Sequence, residues 1–228
     1  MRADIIILTY SKTKEHIRVT EECIGSLRKA KNKIGVNIHV IESYDKDIKY
    51  DGAETIFWVG ENGFNYNESM NYGFSRTKED LVFFCNNDLV FSDYWLDNCY
   101  HVFNMGFDSV SPYCEVTHPR FAPSGKYLLR GYQVGFHIAG WCIGVKREMF
   151  EKIGGFNTAV NFWYSDNIYA EQLKIAAIKH ALVCNSLVKH LDFGSNTLKS
   201  LDEKEKRKLT SLQKKVFNNE VKKLWKHA

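Results

Sequence analysis

Runs of apolar residues alternate with helical patterns over the first two-thirds of the chain. The first run, in residues 4–9 (DIIILT), is apolar at successive positions, which is typical of a strand buried on both faces. Residues 13–30 follow with apolar positions at helical spacing. This alternation predicts an α/β fold, with a Rossmann-like, mostly parallel central sheet and helices on both faces. The predicted strands are 4–9, 37–41, 55–59 and 81–85, and the predicted helices are 13–30, 66–76 and 94–103.

The rhythm changes after residue 103. Residues 112–133 contain prolines and glycines and are predicted to form a loop, either a lid that orders over a bound ligand or a plain solvated loop. With no linker-like segment in 228 residues, we expect one domain over 1–200 and a basic amphipathic helical tail over 201–228. The remaining predicted strands are 137–145 and 181–188, and the remaining predicted helices are 147–153 and 166–179. The tail is predicted to have an apolar stripe formed by Leu209, Leu212, Val216, Leu224 and Trp225.

Charge and cysteine content narrow the protein class. Residues 201–228 hold nine Lys and Arg against four Asp and Glu, a net charge of +5, so the other 200 residues carry −1 of the total of +4. No stretch approaches the roughly 20 apolar residues of a membrane span, and no two of the six cysteines form a CxxC pair. We expect a soluble, cytoplasmic protein with free thiols. Its tail either packs on its own domain or contacts an anionic membrane surface or a nucleic acid.

Candidate ligand-binding residues are those that follow the predicted parallel strands, because ligands of such sheets bind outside the carboxyl ends of the strands. The strongest signal is the apolar run 81–85 (LVFFC), which ends in Asn86, Asn87 and Asp88. A carboxylate flanked by amides suits Mg²⁺ or Mn²⁺ bound with a diphosphate, although a polar turn that caps the next helix has the same composition. The other strand ends carry Thr9 and Tyr10, Glu42 and Ser43, and residues 60–63.

Two later segments carry further candidate residues. In residues 154–167 a Gly-Gly turn leads through aromatic residues to Asp166, which is either an ordinary helix N-cap or a base beside a sugar-binding surface. His190 follows the last predicted strand and either is structural or completes a metal site.

Together these motifs resemble the family 2-type glycosyltransferases of the GT-A fold. The resemblance covers residues 4–195. Each of its motifs has low specificity by itself, but seven motifs in the family's order are more specific. They are IIILTYSK, VIES, NGFNYNESMNYGFS, LVFFCNNDLVF, AGWCIGVKREMFEKIGGFN, SDN and VKHLDFGS.

The resemblance implies roles for individual residues. Asp88 corresponds to the last acid of the family's DxD motif, and His190 to a second ligand of Mn²⁺ or Mg²⁺. Asp166 corresponds to the catalytic base. The sequence departs from the family where Asn86 replaces the first acid of DxD and Ser165 the first acid of the base pair. Thr9, Tyr10, Glu42, Asn71, Asn86 and Asn87 are expected to contact the nucleotide or donor, and Trp141 and Trp163 either stack on the acceptor or belong to the core.

The implied activity is transfer of a sugar from a nucleotide-sugar to an acceptor hydroxyl, with inversion of the anomeric configuration. We expect the donor to be a UDP-sugar. The acceptor is expected to be a glycan, with a modified DNA base as the second choice because of the basic tail. One alternative is a non-catalytic nucleotide- or glycan-binding module, which the replacements at Asn86 and Ser165 favour. Another is a nucleotidyltransferase, which the lack of a Gly-rich basic loop after the first strand disfavours.

Overall fold

A computed structural model describes residues 1–60, 63–118, 126–161, 163–191 and 203–226. Its strands are β1 Arg2–Thr9, β2 Gly35–Glu42, β3 Glu54–Phe57, β4 Leu81–Asn86, β5 Leu89–Phe91, β6 Ser109–Tyr113, β7 Leu128–Arg130, β8 Cys142–Lys146 and β9 His180–His190. Its helices are α1 Lys14–Lys29, α2 Tyr66–Ser75, α3 Trp95–Asn104, α4 Arg147–Lys152, α5 Ser165–Ile175 and α6 Glu203–Lys226.

The strands form one sheet in the order β3-β2-β1-β4-β8-β6-β9-β5, and β7 also pairs with β9. The pairs among β1, β2, β3 and β4 are all parallel, as the sequence predicted. Strand β8 is antiparallel to both β4 and β6, and β9 is parallel to β6. Six of the nine described strands therefore run in one direction, while β5, β7 and β8 run in the other.

Helices cover both faces of the sheet and divide the core into two layers. Alternate side chains of β1 lie on opposite faces of the sheet and contribute to different layers. Ile5 and Ile7 pack in one layer, and Ile6 and Leu8 pack in the other. The first layer is closed by α1 and α3, the second by α2, α4 and α5. Helix α2 approaches closely at Gly73, where a Cβ would come within 2.7 Å of the Ile6 side chain, so a larger residue would push the helix off the sheet.

Several predicted boundaries are wrong. The region 112–133 is not simply a loop, because it holds the end of β6 and all of β7; residues 119–125 lie outside the described ones. The strand predicted over 137–145 begins only at Cys142, and the helix predicted over 166–179 ends at Ile175. The last strand continues to His190, two residues beyond the prediction.

The helical tail forms as predicted, but its apolar stripe is only partly buried. Helix α6 lies against α5 and keeps Val216 and Leu224 half-buried. Leu209, Leu212 and Trp225 are exposed, by 55% at Leu212. No helix in the described part of the chain has the length and apolar character needed to span a membrane.

A buried charge network holds the end of the sheet opposite to the carboxyl ends of β1 and β2. Asp4 is 1% exposed and accepts hydrogen bonds from the backbone N–H groups of Lys78 and Glu79, at 2.8 Å each, and from Asn37 at 3.0 Å. His39 contacts Asp4 at 3.2 Å through Nε2. Burial opposes the charged form of Asp4, but these hydrogen bonds outweigh it and hold the pKa of Asp4 below its ordinary value.

His39 makes stability depend on pH. Its second ring nitrogen lies 3.0 Å from Glu54, and although burial favours the neutral ring, the two carboxylates raise the pKa of His39. The stabilisation is therefore fully present below the unfolded pKa, about 6.5, and disappears as the pH rises through the higher folded pKa. We expect His39→Gln to cost about 1.5–3 kcal/mol at acidic pH, as for hydrogen bonds to charged groups, and clearly less at alkaline pH. Urea unfolding of both proteins at an acidic and at an alkaline pH measures this difference in cost.

The control is His101→Gln, which changes an exposed histidine on α3. Its cost is expected to be small at both pH values. A cost of His39→Gln that stays constant or grows as the pH rises would contradict a charged His39 in the folded protein.

Candidate active site

A cavity of about 330 Å³ opens at the carboxyl end of β4, beside the start of α5. It brings together five of the residues predicted from the sequence, which are far apart along the chain. Those residues are Asn86, Trp141, Trp163, Asp166 and His190. The remaining lining residues are Tyr66, Asn67, Gly140, Ile143, Phe156, Tyr164 and Ser165.

Asp88 and His190 lie side by side because β5 pairs with β9. In this antiparallel ladder Leu89 lies opposite His190, and the backbone N–H of Leu191 donates to the carbonyl of Asp88 at 2.7 Å. The Nε2 atom of His190 is 3.3 Å from Oδ1 of Asp88, a close contact whose geometry is not that of a hydrogen bond. The short strand β5 and the extension of β9 therefore create the pair.

The carboxylate of Asp88 has an unsatisfied oxygen. Its Oδ1 is buried and accepts no hydrogen bond within the described part of the chain. Burial raises the pKa of Asp88, while the neighbouring His190 acts in the opposite direction. A buried carboxylate oxygen without a donor is costly unless a cation or another ligand occupies the space beside it. The donor set, one carboxylate and one imidazole, is chemically suited to a divalent cation.

Asp88 and His190 alone would leave the coordination of a cation incomplete. Among the described residues, no group of three or more His, Cys, Asp or Glu side chains converges on a point where a metal could bind. The cation would therefore depend on oxygen atoms of a ligand to complete its coordination, which is how Mg²⁺ and similar ions usually bind with substrate phosphates.

Asp166 stands inside helix α5 and not at its N-cap. The N-cap is Tyr164, which has a left-handed backbone (φ 68°) and makes no side-chain capping bond, so the capping alternative is wrong. The Oδ1 atom accepts from the N–H of Asn167 at 2.9 Å. A Cβ added to Gly140 would lie 3.2 Å from Oδ2, so the glycine permits the close approach of this oxygen. Burial raises the pKa of Asp166 above its ordinary value.

Aromatic side chains form much of the cavity wall. Trp141 and Trp163 are both half-buried and both line the cavity, and Trp141 also packs against the first core layer. Trp141 also approaches His190, with ring centroids 6.1 Å apart. Tyr164 stacks on Phe217 of α6 at 5.2 Å, with the rings 17° from parallel. The tail helix therefore supports one wall of the cavity.

Tyr66 was not predicted, although it lies at the centre of the site. Its hydroxyl is 3.5 Å from Oδ1 of Asn86 and 3.4 Å from the carbonyl of Gly140. Its backbone N–H donates to the carbonyl of Asn161 at 2.7 Å, which connects the start of α2 to the segment before α5. In the sequence Tyr66 is the first residue of a predicted helix and part of the motif NGFNYNESMNYGFS, but no role was assigned to it.

Three of the predicted donor contacts are engaged with the protein itself. Thr9 is 2% exposed and bonds Ser11, Thr20 and Asn87. The amide of Asn87 donates to Thr9 and Thr20, at 3.2 and 2.9 Å, and so turns toward α1.

Glu42 is fully buried and accepts from the N–H groups of Ser11 and Tyr44 and from the hydroxyl of Tyr50. Its carboxylate fastens the loop after β1 to the loop after β2. It therefore positions the neighbouring backbone and is not itself accessible to a ligand.

Tyr10 is the predicted nucleotide contact that is available at the surface. It is 42% exposed, meets Tyr44 edge-on at 5.2 Å and lies 6.0 Å from Phe64. The ammonium group of Lys12 is 5.0 Å from the centre of its ring. These four residues form an exposed aromatic and basic surface at the carboxyl ends of β1 and β2, and only Tyr10 was predicted from the sequence.

The amide of Asn71 faces a backbone segment and not the cavity. It donates to the carbonyl of Phe156 at 2.8 Å and accepts from the N–H of the same residue at 2.9 Å. Nothing in these contacts supports its predicted role facing a donor. Two of the strand-end positions 60–63, Glu61 and Asn62, lie outside the described residues, as do residues 119–125 of the predicted loop.

No family model matches the chain, and no curated protein matches it in sequence. Solved structures do match its fold: GalNAc-T7 with UDP, GalNAc and Mn²⁺ (TM-score 0.65, 11% identity, 83% of this chain), residues 1–349 of TarS from S. aureus (0.60, 11%, 84%), and the mannosyltransferase PcManGT from Pyrobaculum calidifontis with GDP-Man and Mn²⁺ (0.61, 13%, 87%). The chain spans 43%, 60% and 59% of these chains, respectively. At such low identity the likeness establishes the fold alone: this chain has the GT-A fold that its motifs resemble.

Proposed function

We propose that this protein is a metal-dependent glycosyltransferase that moves a sugar from a nucleotide-sugar to an acceptor hydroxyl. One observation carries the proposal: a buried, unsatisfied carboxylate oxygen of Asp88 lies beside His190, which lines the same cavity as Asp166. The candidate base and one member of the candidate cation pair thus line the same cavity, and Asp88 lies behind His190 without being a lining residue itself. The nucleotide or nucleotide-sugar and Mn²⁺ in two of the similar structures agree with this chemistry.

Asp88 and His190 would hold the cation, and Mn²⁺ suits them better than Mg²⁺. Mg²⁺ strongly prefers oxygen ligands, whereas an imidazole nitrogen is acceptable to softer first-row metals. When bound, the cation would neutralise negative charge on the departing diphosphate. Asn86, at the end of β4, lies close enough to Tyr66 for the two side chains to orient the donor sugar together.

Asp166 is the proposed general base. Its Oδ2 atom would take the proton of the acceptor hydroxyl as that oxygen attacks the anomeric carbon. Burial raises its pKa and so strengthens its ionised form as a base. A single attack from the face opposite the leaving group would invert the anomeric configuration.

A glycan is the proposed acceptor because of the cavity wall. Trp141 and Trp163 offer flat apolar surfaces in the cavity that Asp166 also lines, and the apolar faces of a sugar ring pack on such surfaces. The exposed cluster of Tyr10, Tyr44, Phe64 and Lys12 is the proposed platform for the nucleotide base, which we expect to be uracil.

A thermal-shift screen of nucleotide-sugars with Mn²⁺ tests the proposal. A ligand at 100 times its dissociation constant adds about 2.7 kcal/mol, which for a chain of this size raises Tm by roughly 5–11 °C. We expect one nucleotide-sugar to do so only when Mn²⁺ is present. That donor should then release nucleoside diphosphate slowly without acceptor and quickly with it.

The alternatives give different results in the same assays. A binding module would show the thermal shift without any release of nucleoside diphosphate. A nucleotidyltransferase would respond to a nucleoside triphosphate and release pyrophosphate. Absence of a shift with every nucleotide-sugar and Mn²⁺ would refute the proposed donor class.

A further inference from the structure

Helix α6 has one solvent-facing side that is almost uniformly basic. Its 24 residues extend over about 36 Å at 1.5 Å per residue. At 100° per residue, five of its lysines fall within a sector of about 40°, and all five are exposed. This lysine stripe consists of Lys204, Lys208, Lys215, Lys222 and Lys226.

Contacts on the opposite side of the helix fix the direction in which the stripe points. Phe217 stacks on Tyr164, and the side chain of Gln213 accepts from the backbone N–H of Asn161. Between this side and the stripe, near the end of the helix, the indole N–H of Trp225 donates to Glu171 at 2.9 Å and anchors one flank of the helix. With this side against the body of the protein, the lysine stripe is turned outward.

The sequence of the helix contains more basic than acidic residues. The segment Glu203–Lys226 contains nine Lys and Arg but only three Glu. Of these, Glu220 is half-buried and pairs with Lys223, which is not part of the stripe. Since residues 1–200 carry a net charge of −1, α6 is the positive pole of the chain.

Apolar side chains beside the stripe indicate which polyanion fits it. Leu212 is 55% exposed on one flank, and the indole of Trp225 is 52% exposed on the other. The charged outer face of a nucleic acid backbone offers nothing apolar to cover a leucine, whereas a bilayer interface takes up both aliphatic and indole groups next to anionic headgroups. We propose that the lysine stripe and these flanking side chains dock α6 on an anionic lipid surface.

Docking of α6 needs no catalytic activity, but it would affect which acceptors reach the cavity. Tyr164, which α6 supports, also lines the cavity. A bilayer in contact with the outer side of α6 would therefore lie near the rim of the cavity. If the proposed function holds, acceptors presented at that surface reach the site most easily.

Vesicle sedimentation tests the docking without any substrate. We expect the full chain to bind vesicles of mixed phosphatidylcholine and phosphatidylglycerol, to release them as salt is raised, and to ignore vesicles of phosphatidylcholine alone. Each lysine near such a surface contributes about fivefold in affinity. A variant with all five stripe lysines changed to glutamine is therefore expected to lose at least about 100-fold, and Leu212→Gln about tenfold.

The matched control changes five exposed lysines elsewhere and thus has the same net charge. Its substitutions are Lys29→Gln, Lys33→Gln, Lys46→Gln, Lys49→Gln and Lys152→Gln. It is expected to keep most of the vesicle affinity. Circular dichroism and Tm check that both variants stay folded.

Three outcomes would overturn the docking proposal. They are equal binding to both kinds of vesicle, equal loss in the stripe and control variants, and binding of duplex DNA through the stripe in place of vesicles. None of them touches the proposed transferase activity, which is measured with soluble substrates.

Discussion

Replacing Asp166 with asparagine is expected to lower the rate of sugar transfer by roughly 100- to 10,000-fold, the usual contribution of a general base. Asparagine has nearly the same shape and can still accept the hydrogen bond from the N–H of Asn167. The cavity should therefore remain formed, and the nucleotide-sugar with Mn²⁺ should still raise Tm. What is lost is the ability of Oδ2 to accept a proton.

The pH dependence distinguishes a base from a residue that merely shapes the cavity. Because the base acts in its ionised form, kcat should rise with pH until the pH exceeds the pKa of Asp166 and then level off. Burial raises that pKa, so the rise is expected at a higher pH than for an ordinary aspartate. The Asp166→Asn variant should lack this rise of kcat with pH.

Asp51→Asn is the control, since the side chain of Asp51 is 98% exposed and does not line the cavity. It is expected to transfer sugar at the wild-type rate. A near-normal kcat in Asp166→Asn would mean that another group takes the proton.

Long apolar runs made the first half of the sheet predictable. A strand such as β1, buried on both faces, leaves a continuous apolar segment that few other structures require. Strands β5 and β7 have three residues each, too few for any period to be recognised. They form because β9 offers them a partner, a tertiary cause that local sequence does not contain.

The same limitation affected the site. The sequence marked Asp88 and His190 separately, but their contact depends on pairing between β5 and β9, about 100 residues apart in the chain. Trp141 was assigned to a strand, whereas the actual strand starts at the next residue and leaves the tryptophan free to line the cavity.

Polar residues at strand ends were the least reliable guide to ligand contacts. A buried polar group needs a partner, and that partner can be a ligand or the protein itself. Thr9, Glu42 and Asn87 found partners within the chain, whereas Oδ1 of Asp88 did not. Only the folded arrangement separates these two cases, and it leaves Oδ1 of Asp88 and the hydroxyl of Ser43 without a hydrogen-bond partner in the described part of the chain.

Replacing Asp88 with alanine is expected to abolish the Mn²⁺-dependent part of nucleotide-sugar binding and to lower kcat roughly 1000-fold, since a catalytic cation contributes several kcal/mol to transition-state stabilisation. The metal-free protein should nevertheless be as stable as the wild type or more stable, by about 1–3 kcal/mol, because the substitution removes a buried oxygen that has no donor. Urea unfolding without metal and thermal shifts with Mn²⁺ measure the two effects separately.

This opposition between stability and binding is the signature that separates a ligand site from a structural carboxylate. If Asp88 were structural, its loss would destabilise the metal-free protein and leave the response to Mn²⁺ intact. The control Asp47→Asn, at an exposed position, should change neither quantity. An Asp88→Ala protein that is destabilised and still gains its full thermal shift from Mn²⁺ and the nucleotide-sugar would show that Asp88 is structural and that the cation binds elsewhere.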